Sequence, residues 1–233
     1  MGILKPVKKI ILGVIEKSGY TVTKKKKIDD EWIHVSNPIE HNTKDHMNKF
    51  YSDDHTLDSY FDHERIEFYY VIVNLVKEKG IFSKGQTIAD VGCGTGHLLQ
   101  YLKKEFGFSK ATGMDFSSEA IIVAKKKFPH FDFFEYDIYK KWDEKFDLIF
   151  CTEVLEHLMH PEEALANLVS MMNENGRLVI TVPNGRIDTF GGHINFWSPE
   201  SWTVFINKNT QGMFSETGTI HNNSANYAVI KRT

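Results

Sequence analysis

Cysteine is scarce in this sequence of 233 residues, which contains two, Cys93 and Cys151. Two widely separated cysteines exclude a disulfide scaffold and are typical of a reducing compartment, so we expect a cytoplasmic protein. The sequence also lacks a run of about 18 apolar residues, which argues against a transmembrane helix. Its start has no long uncharged apolar run and no small-residue cleavage site, so a secretory signal is not predicted.

Charge of one sign is not in large excess, since the formal net charge is −3 and 41% of the residues are hydrophobic. These values are ordinary for a globular protein and argue against a disordered chain or a strongly basic nucleic-acid binder. The charge is nevertheless uneven, because residues 1–27 carry eight lysines and a single acidic residue, Glu16. Nucleic acid is therefore not an expected partner of the acidic remainder.

The first nineteen residues have the pattern of an amphipathic helix. Apolar residues recur every three or four positions from Ile3 to Ile15, opposite a lysine-rich face, and Gly19 would end the helix. Such an apolar face is unfavourable in water, so we expect it to pack against another surface. Two partners stay open: the protein's own body or a second subunit in a homodimer, and an anionic membrane surface contacted through residues 1–27. We therefore expect a membrane-associated form as an alternative to a purely cytoplasmic protein.

The remainder alternates between strand and helix patterns, which predicts an α/β fold with a mostly parallel sheet and helices on both faces. We divide the chain into a basic amphipathic helix and lid segment at 1–59 and a main domain at 60–233. Strands are predicted at 87–91, 111–115, 131–136, 146–151, 177–182, 212–220 and 227–231, and helices at 61–79, 97–106, 118–127, 161–172 and from Ser198-Pro199 onward.

A glycine-rich loop, DVGCGTGHL at residues 90–98, follows the first of these strands and opens a helix. Its GxGxG spacing is neither the GxGxxG of dinucleotide-binding proteins nor a phosphate loop ending in Gly-Lys-Ser/Thr. Asp90 precedes the glycines and suits a cationic ligand without a pyrophosphate. S-adenosylmethionine carries an ammonium and a sulfonium group and fits this requirement, with Gly92, Cys93, Gly94 and Gly96 as its binding loop.

Further candidate cofactor residues stand at the ends of the next strands. Asp115 lies 19 residues after Gly96 and can accept hydrogen bonds from two ribose hydroxyls, while Phe116 can pack on the adenine. Asp137 ends the third strand, where it can accept a bond from the adenine amino group, and Ile138 offers a backbone N–H. The carboxyl ends of parallel strands form the ligand edge of such sheets.

The segments DVGCGTGHL, GMDFS, YDIY and FDLIFCTEVLEHL resemble, in this order, the motifs of class I S-adenosylmethionine-dependent methyltransferases. The resemblance covers residues 60–233 and implies a Rossmann-like sheet of seven strands, with the last strand antiparallel and inserted near one edge. It adds Thr152 and Glu153 as residues bordering the cofactor. It also implies a lid in front of the first strand, for which Tyr51, Tyr60 and Arg65 are candidates.

The EVLEHL segment carries a second possible function. If it is helical, Glu153, Glu156 and His157 share one face, and His193 follows in the loop after the fifth strand. An ExxEH pattern with a later histidine resembles methyltransferases that act on the 2′-hydroxyl of small RNAs or on catechol-like rings in ubiquinone biosynthesis. That resemblance implies Mg²⁺ or Mn²⁺ held by Glu153, Glu156, His157 and His193. The alternative is that Glu153 borders the cofactor and that His157 is a packed helix residue.

The expected function is methyl transfer from S-adenosylmethionine to an oxygen of a small molecule or a sugar or glycan precursor. An oxygen nucleophile must lose its proton, and His157 or His193 can serve as the base. Two alternatives stay open. One is an RNA 2′-O-methyltransferase, and the other is a non-catalytic cofactor-binding scaffold.

Overall fold

The computed structural model describes residues 38–53 and 63–232. The amphipathic helix predicted in residues 1–19, the lysine run after it and Tyr60 lie outside the described residues. None of the helices in the described ranges combines the length and the apolar character that crossing a membrane requires.

One seven-stranded sheet organises the described residues, with the strand order β3-β2-β1-β4-β5-β7-β6. Strands β1 to β5 are parallel, whereas β7 runs antiparallel to both β5 and β6. The fold is thus the predicted Rossmann-like sheet with the last strand inserted in reverse. The strands are β1 Ile88–Val91, β2 Thr112–Asp115, β3 Asp132–Glu135, β4 Phe146–Thr152, β5 Met172–Pro183, β6 Phe214–Ile220 and β7 Ala225–Lys231.

Helices follow most of the strands, and several begin at the residues that their sequence signals predict. Ser117 caps the helix that begins at Ser118 by accepting a hydrogen bond from Ala120 N, and Ser198 caps the helix that begins at Pro199 in the same way from Ser201 N. The helices are α1 Pro38–His41, α2 Lys44–Ser52, α3 His63–Glu78, α4 His97–Phe106, α5 Ser118–Lys127, α6 Pro161–Ser170 and α7 Pro199–Asn209. Predicted bounds differ most at β5, which begins at Met172 instead of residue 177.

The two faces of the sheet carry separate apolar cores, as the prediction of helices on both faces requires. One core joins α3, α4 and α5 to the sheet and contains the fully buried Ile72 and Leu99. The other joins α6 and α7 to the opposite face and contains Leu165 and Trp202, whose indole N–H donates to Tyr227 O at 3.0 Å. Helices on both faces leave the carboxyl ends of β1 to β5 as the open edge for a ligand.

Helix α2 lies next to this edge. Asn48 Oδ1 accepts a hydrogen bond from Ser117 Oγ at 2.7 Å, which fixes α2 to the start of α5. Lys44 forms an ion pair with Glu135 at the end of β3. The segment in front of the first strand therefore reaches the ends of β2 and β3, where the cofactor residues were predicted.

Candidate functional site

The glycine loop turns back across the end of β2, since Gly92 N and Cys93 N both donate to Met114 O at 2.7 and 2.9 Å. Gly92 has a φ of 79°, and a Cβ built there would lie 2.2 Å from Val154 Cγ2. Gly94 has a φ of 50°, and its Cβ would lie 3.1 Å from the hydroxyl of Tyr51. A side chain at Gly92 would overlap Val154, and one at Gly94 would be tight against Tyr51, so both positions of the loop favour glycine.

Two buried carboxylates flank this loop. Asp115 accepts backbone N–H groups from Gly94 at 2.8 Å and Ser117 at 2.9 Å, and burial raises its pKa to about 6 despite these bonds. Asp90 is 1% exposed, and its Oδ1 has no hydrogen-bond partner among the described residues. Burial and the nearby Asp115 raise the pKa of Asp90 to about 8. A cationic ligand would supply the missing favourable partner.

The other predicted cofactor residues are distributed along the same edge. Phe116 and Asp137 are half-buried, and Asp137 Oδ1 accepts Tyr139 N at 3.0 Å. Ile138 is buried, and its carbonyl accepts a hydrogen bond from Asn167 Nδ2 at 2.9 Å. Cys93 is buried in the loop, and Thr152 ends β4 half-buried. These positions follow from the parallel strand order, because each residue stands at or just after the end of its strand.

The EVLEHL segment is not the α-helix that the shared-face argument assumed. Glu153 adopts a left-handed backbone with φ 55°, and only Leu155–His157 form a single 3-10 turn. The Glu153 carboxylate accepts a hydrogen bond from Thr181 Oγ1 at 3.0 Å on β5. Burial raises the pKa of Glu153, with Arg65 and Thr181 opposing the shift. The structure therefore places Glu153 against β5 and outside the group that follows.

Glu156, His157 and His193 do come together. One ligand atom of each lies within 4.8 Å of the other two, and the two imidazole rings are 4.7 Å apart. Glu156 is 1% exposed, and neither of its oxygens has a hydrogen-bond partner among the described residues. Burial and Glu153 raise the pKa of Glu156 well above its ordinary value. Burial and His193 lower the pKa of His157 to about 3.

Sequence reasoning missed Asp188 and His41, which complete the surroundings of this group. Asp188 Oδ2 lies 2.6 Å from His193 Nδ1, and burial, His46 and His193 lower the pKa of His41. Asn42 Nδ2 donates to Gly192 O at 2.8 Å and so fixes the chain in front of α2 to the loop after β5. The spacing of Asp188 and His193 was the available signal, but a polar loop alone does not show which side chains meet.

The sequence profile of a family described as a methyltransferase domain matches residues 61–209. The chain belongs to this methyltransferase family. Every predicted site residue, from Asp90 to His193, lies inside the matched range.

Proteins similar to this methyltransferase chain include two curated enzymes. Ubiquinone biosynthesis O-methyltransferase of Coxiella burnetii is 32% identical over 113 residues, which cover 46% of this chain and 47% of the relative. Trans-aconitate 2-methyltransferase of Escherichia coli is 32% identical over 103 residues, which cover 43% of this chain and 40% of the relative. The aligned part thus spans less than half the length of these relatives.

Solved structures share the fold of this methyltransferase. The N-methyltransferase NodS from Bradyrhizobium japonicum, in complex with S-adenosyl-L-homocysteine, aligns with a TM-score of 0.66 at 20% identity and covers 82% of this chain and 98% of its own. The plantazolicin methyltransferase BpumL, in complex with SAH, aligns with a TM-score of 0.63 at 17% identity. The alignment covers 84% of this chain and 98% of BpumL. The [4+2]-cyclase SpnF aligns with a TM-score of 0.58 at 14% identity, and the alignment covers 69% of this chain and 79% of SpnF.

Proposed function

We propose that this methyltransferase transfers the methyl group of S-adenosylmethionine to a hydroxyl oxygen of a small molecule or a sugar or glycan precursor. The observation that carries the proposal is the group of Glu156, His157 and His193 at the ligand edge of the sheet. Oxygen acceptors need help in losing a proton, whereas amine acceptors need much less, and this group offers both imidazole and carboxyl functions.

The cofactor residues fit S-adenosylmethionine in charge and in shape. The glycine loop brings main-chain atoms within reach of the ligand, and Asp115 retains lone pairs for ribose hydroxyls beside its two backbone bonds. The buried Asp90 suits the cationic methionine end of the cofactor. The Tyr51 hydroxyl faces Gly94 from α2 and would cover the cofactor from the lid side.

Methyl transfer from a sulfonium is an in-line displacement in which the acceptor oxygen forms a bond to the methyl carbon as the carbon–sulfur bond breaks. The protein must hold the oxygen and the methyl group close and aligned, which accounts for roughly 7–11 kcal/mol of the barrier in well-oriented reactions. The acceptor proton passes to a base. His157 is neutral but has a pKa of about 3, which makes it a poor proton acceptor. His193 is therefore the stronger candidate for the base.

The same group also fits a divalent cation. Glu156 is a buried carboxyl group without a hydrogen-bond donor among the described residues, and the Nδ1 atom of His157 is likewise unpartnered there. Two imidazoles and one carboxylate suit Mn²⁺ or Zn²⁺ better than Mg²⁺, which prefers oxygen ligands. A cation held by Glu156, His157 and His193 would lower the pKa of a bound acceptor hydroxyl. Glu153 is not needed in this ligand set.

The surroundings of the group support an acceptor with an apolar portion. Three large apolar side chains close in sequence to these polar residues are exposed. They are Met159, near His157, at 52%, Ile187, next to Asp188, at 59%, and Phe196, near His193, at 48%. The Phe196 ring is 6.1 Å from the His193 ring. A partly exposed aromatic ring beside a polar group is typical of sites for small organic ligands.

A transfer assay tests the proposal directly. The full chain is incubated with methyl-labelled S-adenosylmethionine and separate panels of catechols, sugar nucleotides, amines and a short RNA, with and without a chelator. We expect label in a hydroxyl-bearing small molecule, loss of transfer in His193→Gln, and normal transfer in the matched control His160→Gln, whose ring is exposed. Labelling of amines or RNA alone would contradict the proposal, and so would full transfer by His193→Gln.

A further inference from the structure

We infer that Asp188 is a positioning residue that fixes the tautomer of His193 and leaves the Nε2 lone pair of His193 available to the reaction. Only the use of that lone pair in the reaction rests on the proposed function. The supporting contact is the 2.6 Å distance between His193 Nδ1 and Asp188 Oδ2, with side chains only 10% and 9% exposed.

The loop holds the Asp188 carboxylate in one orientation. Its other oxygen, Oδ1, accepts the backbone N–H of Phe190 at 3.0 Å. The backbone N–H of Asp188 donates to Asn184 O at 3.0 Å, and Asn184 N in turn donates to Ser224 O at 2.8 Å. The backbone of Asp188 is thereby tied through the end of β5 to the turn between β6 and β7, and the carboxylate cannot rotate away from His193 without breaking the hydrogen bond from Phe190 N.

This orientation determines where the proton of a neutral His193 resides. An ionised carboxylate can only accept hydrogen bonds, so the partner nitrogen Nδ1 must carry the hydrogen. Both oxygens of Asp188 are engaged as acceptors, Oδ1 by Phe190 N at 3.0 Å and Oδ2 by His193 Nδ1 at 2.6 Å. The second nitrogen, Nε2, is then the unprotonated one, and the carboxylate on the far side of the ring fixes the orientation of the imidazole.

An unprotonated Nε2 is needed in either chemical role of His193. It would accept the proton of an acceptor hydroxyl, or it would donate its lone pair to a cation shared with Glu156 and His157. Without Asp188, a hydrogen on Nε2 would block both. The carboxylate therefore acts on the reaction through His193 and does not touch the acceptor.

The hydrogen bond from Phe190 makes Asp188→Asn an informative substitution. In this variant the amide oxygen takes the place of Oδ1 and accepts Phe190 N, so the amide NH₂ group faces His193 Nδ1. An N–H donor at that position requires an unprotonated Nδ1 and moves the ring hydrogen to Nε2. Asp188→Ala removes the carboxylate without offering a donor, so the ring is no longer held with its hydrogen on Nδ1.

The test uses the full chain labelled with ¹⁵N at histidine, with the His193 signals assigned by their loss in His193→Gln. Long-range ¹H–¹⁵N spectra are recorded at pH 8.5 for the wild type, Asp188→Asn, Asp188→Ala and the control Glu162→Gln. Glu162 faces the exposed His160 at 3.8 Å, outside the site. We expect the hydrogen on Nδ1 in the wild type and the control, on Nε2 in Asp188→Asn, and a mixture of the two neutral tautomers in Asp188→Ala.

Kinetics complete the test once an acceptor is available. Asp188→Asn should lower kcat roughly 10- to 100-fold with little change in KM, as loss of an orienting carboxylate does in other histidine sites. A wild-type His193 with its hydrogen on Nε2, or an unchanged tautomer in folded Asp188→Asn, would overturn the inference. Failure of the proposed O-methylation would be recognised separately, since the spectra require neither acceptor nor turnover.

Discussion

The burial of Asp90 leads to a prediction about cofactor binding. Its carboxyl group is 1% exposed and has a pKa raised to about 8 by burial and by Asp115. Asp90 is therefore mostly protonated at neutral pH in the free protein. If the cationic end of S-adenosylmethionine lies beside it, the bound state favours the carboxylate. Binding must then release a proton at pH values below about 8, and affinity must rise with pH.

The size of the effect follows from the pKa. A group with a pKa of about 8 that must ionise on binding weakens affinity at pH 7 by about tenfold relative to pH 9. The dependence disappears well above pH 8, where the carboxyl group is already ionised in the free protein. The Asp90→Asn variant cannot ionise, and its neutral amide resembles the protonated acid that the free protein contains. This variant should therefore fold normally, and its affinity for the cofactor should lack the part of the pH dependence that Asp90 causes.

Calorimetric titration with S-adenosylmethionine at pH 7, 8 and 9 measures this slope, and buffers of different ionisation enthalpy report the number of protons released. Titration of the cofactor's own amine affects both proteins equally, so the comparison of wild type with Asp90→Asn isolates the side chain. Equal slopes in the two proteins, or no proton release by the wild type at pH 7, would refute the placement of the cation at Asp90.

Three further predictions concern the loop, the ribose site and the first residues of the chain. Gly92→Ala should lower the free energy of unfolding in urea by roughly 2–4 kcal/mol, because the new Cβ would sit on a left-handed backbone 2.2 Å from Val154 Cγ2. Adding Val154→Ala to this variant should restore part of the lost stability, and no restoration would contradict the packing argument. Asp115→Ala should weaken S-adenosylmethionine binding by about 1–3 kcal/mol in calorimetry, whereas unchanged affinity would reject the ribose assignment. Deletion of residues 1–27 should abolish sedimentation with anionic vesicles at low salt, since each nearby lysine contributes about 1 kcal/mol; equal sedimentation of both chains would rule out this segment as the membrane contact.

The fold was predictable from the sequence because its signals are local and repeated. Helix α5 begins after its capping residue Ser117 and spans the predicted 118–127, and buried strand patterns located β1 and β4 within one residue at each end. The glycine loop was equally predictable, since a turn between a strand and a helix depends on neighbouring residues. The start of β5 was missed because Asn173, Glu174 and Asn175 resemble a turn in sequence. They lie in an irregularity of the strand, between Met172, which pairs with Phe146, and Arg177, which pairs with Leu148.

The proposed acceptor side was less predictable because its contacts depend on how the loops fold in three dimensions. Counting residues placed Glu153 with Glu156 on one helical face, but the left-handed backbone at Glu153 turns its carboxylate towards Thr181 instead. Asp188 reaches His193 only because the loop after β5 folds back on itself, with Gly185 N donating to Trp197 O at 2.8 Å. Periodicity arguments do not apply to such a loop.

This division between the two halves of the site bears on how the acceptor can be identified. The cofactor half is built from strand ends that the sheet fixes, and the fold is shared by proteins as different as N-methyltransferase NodS and the [4+2]-cyclase SpnF. Fold alone therefore does not select the reaction. We expect the residues that select the acceptor to lie in the loop at 184–197 and in the segment at 38–53, which meet through the hydrogen bond from Asn42 Nδ2 to Gly192 O. Substitutions that change acceptor preference without changing cofactor affinity should consequently map to these two segments.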